Sequence, residues 1–416
     1  MIVRKLHANE KYKAALGMAV AFEWDMDFEK EKQVAQAMTL QEVEKADAAR
    51  PPLPSGALQT ERWGAFAPDN TTLLGSFGLA HYPVRFEGHE VMMGGIGGVA
   101  TLPQYRRCGA IRACLQAAMQ EMNEKGFVLS FLYPFSRSYY RKFGYENGAL
   151  ACTWTIPFST LRLPRATGHM VQLLPGDSTA PLLQIYNTFY AKYNNSVIRT
   201  VFDSLLETEN TLAQKRYLYV WYNEAMQPRG FLIFHKKEGI MDCTTTFEAK
   251  NAFLFLDCEA LTALLDFAST AFAADYHAIR FTLPEEIHID SFIAEGNEIQ
   301  RSVGYNGMMR IVNVQHALQL CRCMGEGSIR IAVSDEIAPW NEETWQLDFA
   351  PERANIVQKT LNAPDVALSV NDFSALICGT RCAEDFAYMP QVQIYKHDAP
   401  FDKVFYRKPN YVLNLF

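Results

Sequence analysis

The chain has no excess of positive charge. Its 39 Lys plus Arg face 46 Asp plus Glu, a formal net charge of −7. The bulk basicity of a nucleic-acid binder is therefore missing, and an anionic ligand would need a local basic pocket of its own. No apolar run is long enough for a bilayer. The longest, around 261–274, is interrupted by Asp266 and falls short of the ~20 residues a spanning helix needs. The opening MIVRKLHANEKYK carries charge where a secretion signal needs an apolar stretch. The cysteines number nine, an odd count spread along 416 residues, and read as free thiols of a reducing compartment rather than a disulfide framework. These absences lead us to expect a cytoplasmic protein with no nucleic-acid or membrane partner. Neither Cys321 with Cys323 nor Cys378 with Cys382 has a second Cys or His pair at zinc-site spacing, so no metal is expected. His81, His89, His235, His277 and His316 lack the Ser and Asp spacing of a hydrolytic triad.

What is present is an ordinary globular composition, 49% hydrophobic and 20% charged. That excludes a disordered or collagen-like chain and suits roughly two to four domains. In the first 150 residues Asn9 can cap a helix running to about residue 22, and a polar helical stretch covers about 29–50, stopped by Pro51-Pro52. Strand-like stretches at 61–67 and 71–80 flank the turn composition Pro68-Asp69-Asn70, and a second hairpin turns at Glu87-Gly88 and runs toward Leu102. Then Ile111, Leu115, Ala118, Met119 and Met122 recur at helical spacing before an apolar strand at 127–133.

A similar order recurs between about 152 and 284. Asp177 opens a helix, 216–222 is a strand, and 230–234 with 240–247 form a hairpin turning at Lys237-Glu238-Gly239. A helix with Leu261, Leu264, Leu265 and Phe272 leads to a strand with Ile279, Phe281 and Leu283. From about 302 the pattern is short strands (309–314, 329–333, 345–349, 366–370) and two short helices, one after Asn313 and one after Asn371. The mostly apolar end, 410–416, is expected to dock. The expected fold class is α+β in three domains, 1–150, 151–300 and 301–416, the second repeating the topology of the first.

The stretch most informative about chemistry is Val99-Ala100-Thr101-Leu102-Pro103-Gln104-Tyr105-Arg106-Arg107-Cys108-Gly109-Ala110-Ile111-Arg112. It sets two arginines and a glycine between a strand end and the first turn of a helix. A helix N-terminus offers unpaired N–H groups and a positive dipole end, and Arg106 and Arg107 would add charge-assisted bonds to an anion. By themselves these residues suit a phosphate site and a solvated basic turn equally.

In its context of strand, turn, amphipathic helix and strand, the R-x-x-G-x-x of Arg106 to Ile111 resembles the pyrophosphate-binding motif of the GNAT family of N-acetyltransferases. The family's usual form is Q/R-x-x-G-x-G/A, and this chain departs from it with Ile111 at the last position. A second stretch, Tyr133-Pro134-Phe135-Ser136-Arg137-Ser138-Tyr139-Tyr140-Arg141-Lys142-Phe143-Gly144-Tyr145-Glu146, resembles the Y-x-x-F-G-Y signature of the Eis (enhanced intracellular survival) acetyltransferases. That resemblance implies two tandem GNAT-like mixed α/β domains followed by a sterol-carrier-protein-like α+β domain, with 308–314 and 366–379 in the third. It also implies a homo-hexamer.

Carried onto this sequence, the resemblance implies an acetyl-coenzyme A-dependent N-acetyltransferase that acts on primary amines by direct transfer and needs no metal. Backbone groups of Val99, Ala100 and Thr101 would hold the pantetheine and acetyl carbonyl. Arg106, Arg107, Gly109 and Ala110, with Arg112, would hold the pyrophosphate. Tyr140 would be the general acid, with Tyr139 as the alternative, and the C-terminal carboxylate on Phe416 the general base. A phenol of ordinary pKa about 10 holds its proton at neutral pH, as an acid must. Glu23, Trp24 and Asp25, with Asp27 nearby, follow the first helix on the side where GNAT proteins take the acceptor, and suit an aminoglycoside, a polyamine or a lysine; an acidic loop is also often simply solvated. Gln227-Pro228-Arg229-Gly230 repeats the Q-x-x-G spacing, but a strand follows it, so the second domain is expected to lack a coenzyme site. The competing readings are an acyltransferase using longer acyl chains and a non-catalytic coenzyme A- or lipid-binding protein.

Overall fold

The computed structural model describes residues 1–48, 59–200, 208, 211–236, 239–246, 249–290, 293 and 296–413. Pro51-Pro52, Lys237, Glu238 and Phe416 lie outside the described residues. The first stretch runs β1 (Ile2–Lys5), α1 (Lys11–Phe22), α2 (Phe28–Ala37), α3 (Leu40–Ala48), β2 (Gln59–Phe66), β3 (Leu73–Phe86), β4 (His89–Ala100), α4 (Ala110–Glu124), β5 (Leu129–Leu132), α5 (Arg137–Arg141) and β6 (Glu146–Asn147). Two local expectations change. Asn9 sits inside a 3-10 turn, Ala8–Glu10, and the position before α1 is Glu10. The polar stretch expected as one helix is two. Thr39 breaks it because its Oγ1 accepts from the Glu42 N–H at 3.2 Å while the Glu42 carboxylate accepts from the Thr39 N–H at 2.8 Å, a capping box that starts α3.

The second stretch runs β7 (Leu150–Pro157), β8 (His169–Leu173), α6 (Ala180–Phe189), β9 (Arg216–Tyr222), β10 (Pro228–His235), β11 (Gly239–Asp242), β12 (Ala252–Phe255), α7 (Cys258–Ala271), β13 (Tyr276–Pro284) and β14 (Gln300–Tyr305). The third runs β15 (Met308–Ile311), α8 (Val314–Leu320), β16 (Gly327–Ser334), β17 (Thr344–Phe349), β18 (Ile356–Lys359), β19 (Val366–Ser369), α9 (Val370–Ile377), β20 (Gln393–Ile394) and α10 (Phe401–Val404). The helix expected after Asn371 starts earlier, because the Ser369 side chain caps it by accepting from the Asp372 N–H.

These elements form two compact units. One contains Met1–Gly148 with Gly307–Lys408, the other Ala149–Asn306 with, among the described residues, 409–413. In the first unit a seven-stranded sheet has the order β1-β2-β3-β4-β5-β15-β6, and a five-stranded sheet has the order β18-β17-β16-β19-β20. The strand expected to open the third domain is thus β15, which pairs antiparallel with both β5 and β6 and completes the first sheet. Only β4 with β5 is parallel in that sheet, as the α4 crossover requires. The predicted apolar face of α4 (Ile111, Leu115, Ala118, Met119, Met122) is buried on it.

The second unit has two four-stranded sheets, β12-β10-β9-β8 and β11-β13-β7-β14. Strands β8, β9, β10 and β12 repeat the antiparallel ladder of β1 to β4, with α6 in the place of α1 and α7 in the place of α4. The hairpin expected between 230–234 and 240–247 is a different arrangement: β10 pairs with β9 and β12, while β11 joins the other sheet as a parallel neighbour of β13.

Candidate active site

Three local features of the first unit converge around β4 and α4. The first is the turn after β4. Arg107 and Gly109 both take left-handed backbone angles, φ 66° and 84°, so the chain reverses sharply before α4 begins. No side chain caps α4. Among the described residues, no acceptor is bonded by the N–H groups of Arg107 to Arg112, and the first helical bond is Ala113 N to Gly109 O at 3.0 Å. Arg106, Arg107, Cys108 and Gly109 are exposed. A Cβ placed on Gly109 would meet nothing within 4 Å, so the space above the turn is open and glycine is there for its backbone. An uncapped helix start preceded by two exposed arginines is a fit for a pyrophosphate. Ile111, the departure from the GNAT motif, does not obstruct it. Its side chain is buried in the core with Ala110, close to Gly75 of β3, where any Cβ would crowd both. Arg112 turns elsewhere: its guanidinium lies 5.6 Å from the Phe143 ring centroid and 4.0 Å from Glu336.

The second feature is the end of β4. Its register with β5 covers only Met93 to Ile96, while on the β3 side Gly78 faces Gly97 and Ser76 faces Ala100. Two steps on β3 against three on β4 make a bulge, with Gly98 at φ 59° inside it. Val99, Ala100 and Thr101 therefore stand past the point where β5 pairs with β4, with backbone on that side available to a ligand. Although β4 is an interior strand of its sheet, its pairing with β5 stops at Ile96 among the described residues. Helix α1 packs on it, with Gly17 beside Ala100 and Met18 beside Gly98. One turn on, Glu23 ends α1 in a left-handed conformation, and Trp24, 59% exposed, stacks on Phe22 at 5.2 Å. Asp25 is exposed, and Asp27 caps α2 by accepting from the Lys30 N–H at 3.1 Å.

Sequence reasoning missed Arg62 of β2. Its side chain reaches across Gly78 to the bulge: Cβ atoms at Gly78 and Gly98 would each lie 3.6 Å from the guanidinium. The one polar partner of its side chain among the described residues is the Met18 sulfur, 3.4 Å away, and burial lowers its pKa. The clue was positional. Arg62 alternates with the buried Glu61 and Trp63, which places it on the opposite face of β2.

The third feature is Tyr140, on the short helix α5 capped by Ser136. It is 2% exposed and shares a core cluster with Ala110, Ile111, Phe143 and Tyr145, against which Val99 and Tyr139 also pack. The sequence-predicted acid and the start of α4 thus meet in one cluster. Phe135, Tyr139 and Tyr145 surround its ring at 5.5, 5.2 and 6.2 Å between centroids. Burial, and then the neighbouring Tyr139 and Tyr145, raises its pKa above the ordinary tyrosine value, and its hydroxyl has no hydrogen-bond partner among the described residues. Burial also raises that of Tyr139, by less exclusion from water.

The loop carrying Tyr140 is held from outside the first 150 residues, which sequence reasoning also missed. The fully buried Arg310 of β15 pairs with Asp335 and donates to the Phe143 carbonyl. Asp335 in turn accepts from Ile337 and Ala338 N–H at 3.1 Å and from Asn341 at 2.9 Å. The Asn371 amide of α9 donates to the Arg141 and Tyr145 carbonyls at 3.0 and 2.9 Å. Gly144 (φ 82°) passes so close that a Cβ there would strike Arg310 and Val370. The Tyr145 hydroxyl and Ser130 are 2.7 Å apart.

In the second unit the helix in the place of α4 starts differently. Asp257 caps α7 by accepting from the Ala260 N–H at 2.8 Å, and Arg229 of the Q-x-x-G stretch pairs with it at 2.6 Å. The expected docking of the chain end is seen in the same unit as far as Leu413, the last described residue. Asn194 N–H donates to Pro409 O at 2.8 Å, Tyr411 stacks on Tyr190 at 5.7 Å, and Arg199 and Asn306 donate to the carbonyls of Leu413 and Val412. Among the described residues no group of three His, Cys, Asp or Glu is placed to hold a metal, and no helix is long and apolar enough to cross a membrane.

Comparison with known proteins agrees with this layout. Residues 26–148 match the acetyltransferase (GNAT) domain family and residues 314–412 the sterol carrier protein domain family. An uncharacterized N-acetyltransferase of Streptomyces avermitilis is 24% identical over 328 residues, covering 75% of this chain and 78% of that protein. A conserved protein of unknown function from Enterococcus faecalis, described as a probable N-acyltransferase, superposes with a TM-score of 0.82 at 20% identity, over 100% of this chain and 99% of its own. A GCN5-related N-acetyltransferase from Anabaena variabilis gives 0.78 at 18% identity, and Eis1 from Mycobacterium abscessus 0.74 at 17%, each over 100% of both chains. At such identities the structures speak to the fold, which this chain shares along its whole length. The GNAT fold uses acetyl-coenzyme A, and this chain carries a GNAT acetyltransferase domain at 26–148 with a sterol-carrier-protein-like domain at 314–412.

Proposed function

We propose that the chain transfers acetyl from acetyl-coenzyme A directly to a primary amine of aminoglycoside, polyamine or lysine type. The observation that carries this is the uncapped start of α4, which follows the exposed Arg106 and Arg107 and shares one core cluster with Tyr140. Gly109 and Ala110 would present N–H groups to the pyrophosphate, the backbone of Val99, Ala100 and Thr101 would hold the pantetheine and acetyl carbonyl, and Arg112 would contribute charge from the side. Tyr140 would deliver its proton to the departing thiolate. A raised pKa keeps that proton in place at neutral pH. The terminal carboxylate of Phe416 would take the proton of the attacking amine, and Glu23, Trp24 and Asp25 would receive the acceptor's cation. In this reading 1–150 is the catalytic domain, 151–300 a GNAT-like domain without a coenzyme site, and 301–416 a sterol-carrier-like domain, in a cytoplasmic homo-hexamer.

The test is thiol release from acetyl-coenzyme A with aminoglycosides, polyamines and lysine peptides, using the native chain beside one extended by a few residues past Phe416. Turnover with an amine that collapses on extension, assembly unchanged, is the expected result. Coenzyme A binding without release would favour a binding protein instead, and faster turnover of long-chain acyl donors would favour an acyltransferase.

A further inference from the structure

Arg62 is the cation at the bulge that the transfer chemistry above does not use. Among the described residues no carboxylate lies within ion-pairing distance of it, and its polar partner is the thioether of Met18. A half-buried guanidinium left to a sulfur atom is costly, because it gives up water without gaining an acceptor. Such a group is common where a ligand completes the pairing. Its surroundings are built for reach. Gly78 and Gly98 clear the sheet surface over which the side chain lies, and any side chain at Gly98 would run into Met18 as well. The fork ends beside the backbone of the β4 bulge, on the face where α1 packs and from which α1 runs on to Glu23, Trp24 and Asp25.

We propose that Arg62 is an anion-binding residue of the acceptor site, and that the preferred acceptor is a primary amine that also carries a carboxylate. This rests on the reading of the first unit as an amine acetyltransferase and narrows its substrate class. The acidic loop would receive the amine end as it arrives. Arg62 would pair, fork to fork, with the carboxylate, the geometry for which a guanidinium is best suited. A purely cationic polyamine would gain from the loop and be repelled by Arg62, so the two features together select an amphoteric molecule.

The experiment uses matched amines that differ in one carboxylate, such as Nα-acetyl-lysine against its amide and lysine against 1,5-diaminopentane, with native protein, Arg62→Gln and Arg62→Lys. The native chain should favour the acid member of each pair in kcat/KM. Arg62→Gln should lose that preference by roughly 10- to 100-fold, the scale of a charged bidentate pair, with Arg62→Lys between them and the KM for acetyl-coenzyme A unchanged. No preference in the native chain, or a preference that survives Arg62→Gln, overturns the proposal. A rise in the KM for acetyl-coenzyme A also overturns it, by assigning Arg62 to the coenzyme. If no amine in any pair is acetylated, the transferase reading is what fails. The anion site is then read without turnover, by the NMR line broadening of hexanoate added to coenzyme A-loaded protein. Broadening by the native chain that disappears in Arg62→Gln supports the site; equal broadening in both removes it.

Discussion

Gly109→Ala isolates what the turn before α4 contributes. At φ 84° an L-residue is strained, and nothing lies within 4 Å of the added Cβ to crowd it. The cost is therefore the backbone alone, roughly 1–2 kcal/mol for an alanine in the left-handed region. In the free protein an exposed turn with no packed neighbour can relax, so little of this should register as stability. Binding a pyrophosphate requires the N–H groups of the turn and of the first helical residues to point one way, and the cost reappears there. At about 1.4 kcal/mol per tenfold, 1–2 kcal/mol becomes roughly a five- to thirtyfold rise in KM for acetyl-coenzyme A. Steady-state thiol release measures it, with kcat at saturation within about twofold of native. Gly109→Asn is the control, since asparagine tolerates this backbone region, and should give the smaller rise. An unchanged KM in Gly109→Ala would refute the assignment of this turn to the pyrophosphate. So would a loss confined to kcat.

Tyr140→Phe should lower kcat by at least ~100-fold, a usual size for a general acid, with KM for acetyl-coenzyme A nearly unchanged. Because burial raises the Tyr140 pKa, the native kcat should show no Tyr140-dependent alkaline loss below about pH 10, the unperturbed tyrosine value. A limb near pH 8 or 9 that vanishes in Tyr140→Phe would contradict that. Cys108 is exposed in the turn before α4, so its alkylation by iodoacetamide should slow severalfold when coenzyme A is bound, read by peptide mass spectrometry; equal rates would place the coenzyme elsewhere. Asn371→Ala removes two hydrogen bonds from the loop of Tyr140 and should lower kcat severalfold with KM for acetyl-coenzyme A unchanged. In a Tyr140→Phe background it should add little, and full additivity would mean the bonds serve stability alone.

Local chemistry was legible and long-range pairing was not. The helical spacing of Ile111, Leu115, Ala118, Met119 and Met122, and the turn at Glu87-Gly88, placed α4 and the β3–β4 hairpin because those signals are complete within a few residues. The insertion of Met308–Ile311 between β5 and β6 leaves no such mark. An apolar four-residue strand reads the same whichever sheet receives it. The 230–247 region misled for the same reason: two strands about a turn look like a hairpin, yet β10 is claimed by β12 and β11 by β13. At the candidate site, the turn before α4 and Tyr140 were singled out through motif residues close in sequence. Arg62, Arg310 and Asn371 were not, because each acts on a residue distant in the chain: Gly98, Phe143 and Arg141.

The two helices that follow the fourth ladder strand of each unit show why one topology need not give two coenzyme sites. In the first unit α4 begins with a left-handed glycine, no capping side chain and exposed arginines. In the second, the Asp257 carboxylate occupies the N-terminus of α7 and its charge is already answered by Arg229. A pyrophosphate arriving there would have to displace a cap worth about 1 kcal/mol and face a like charge, with the nearby arginine committed. The chain should therefore bind one coenzyme A per protomer, as read by calorimetry. Asp257→Ala should destabilise the second unit by roughly 1–2 kcal/mol through loss of the cap and its ion pair while leaving both stoichiometry and turnover unchanged. A native stoichiometry of two, with the weaker site abolished by Arg229→Ala, would show instead that the carboxylate yields to the ligand, and that the helix start rather than its cap decides where coenzyme binds.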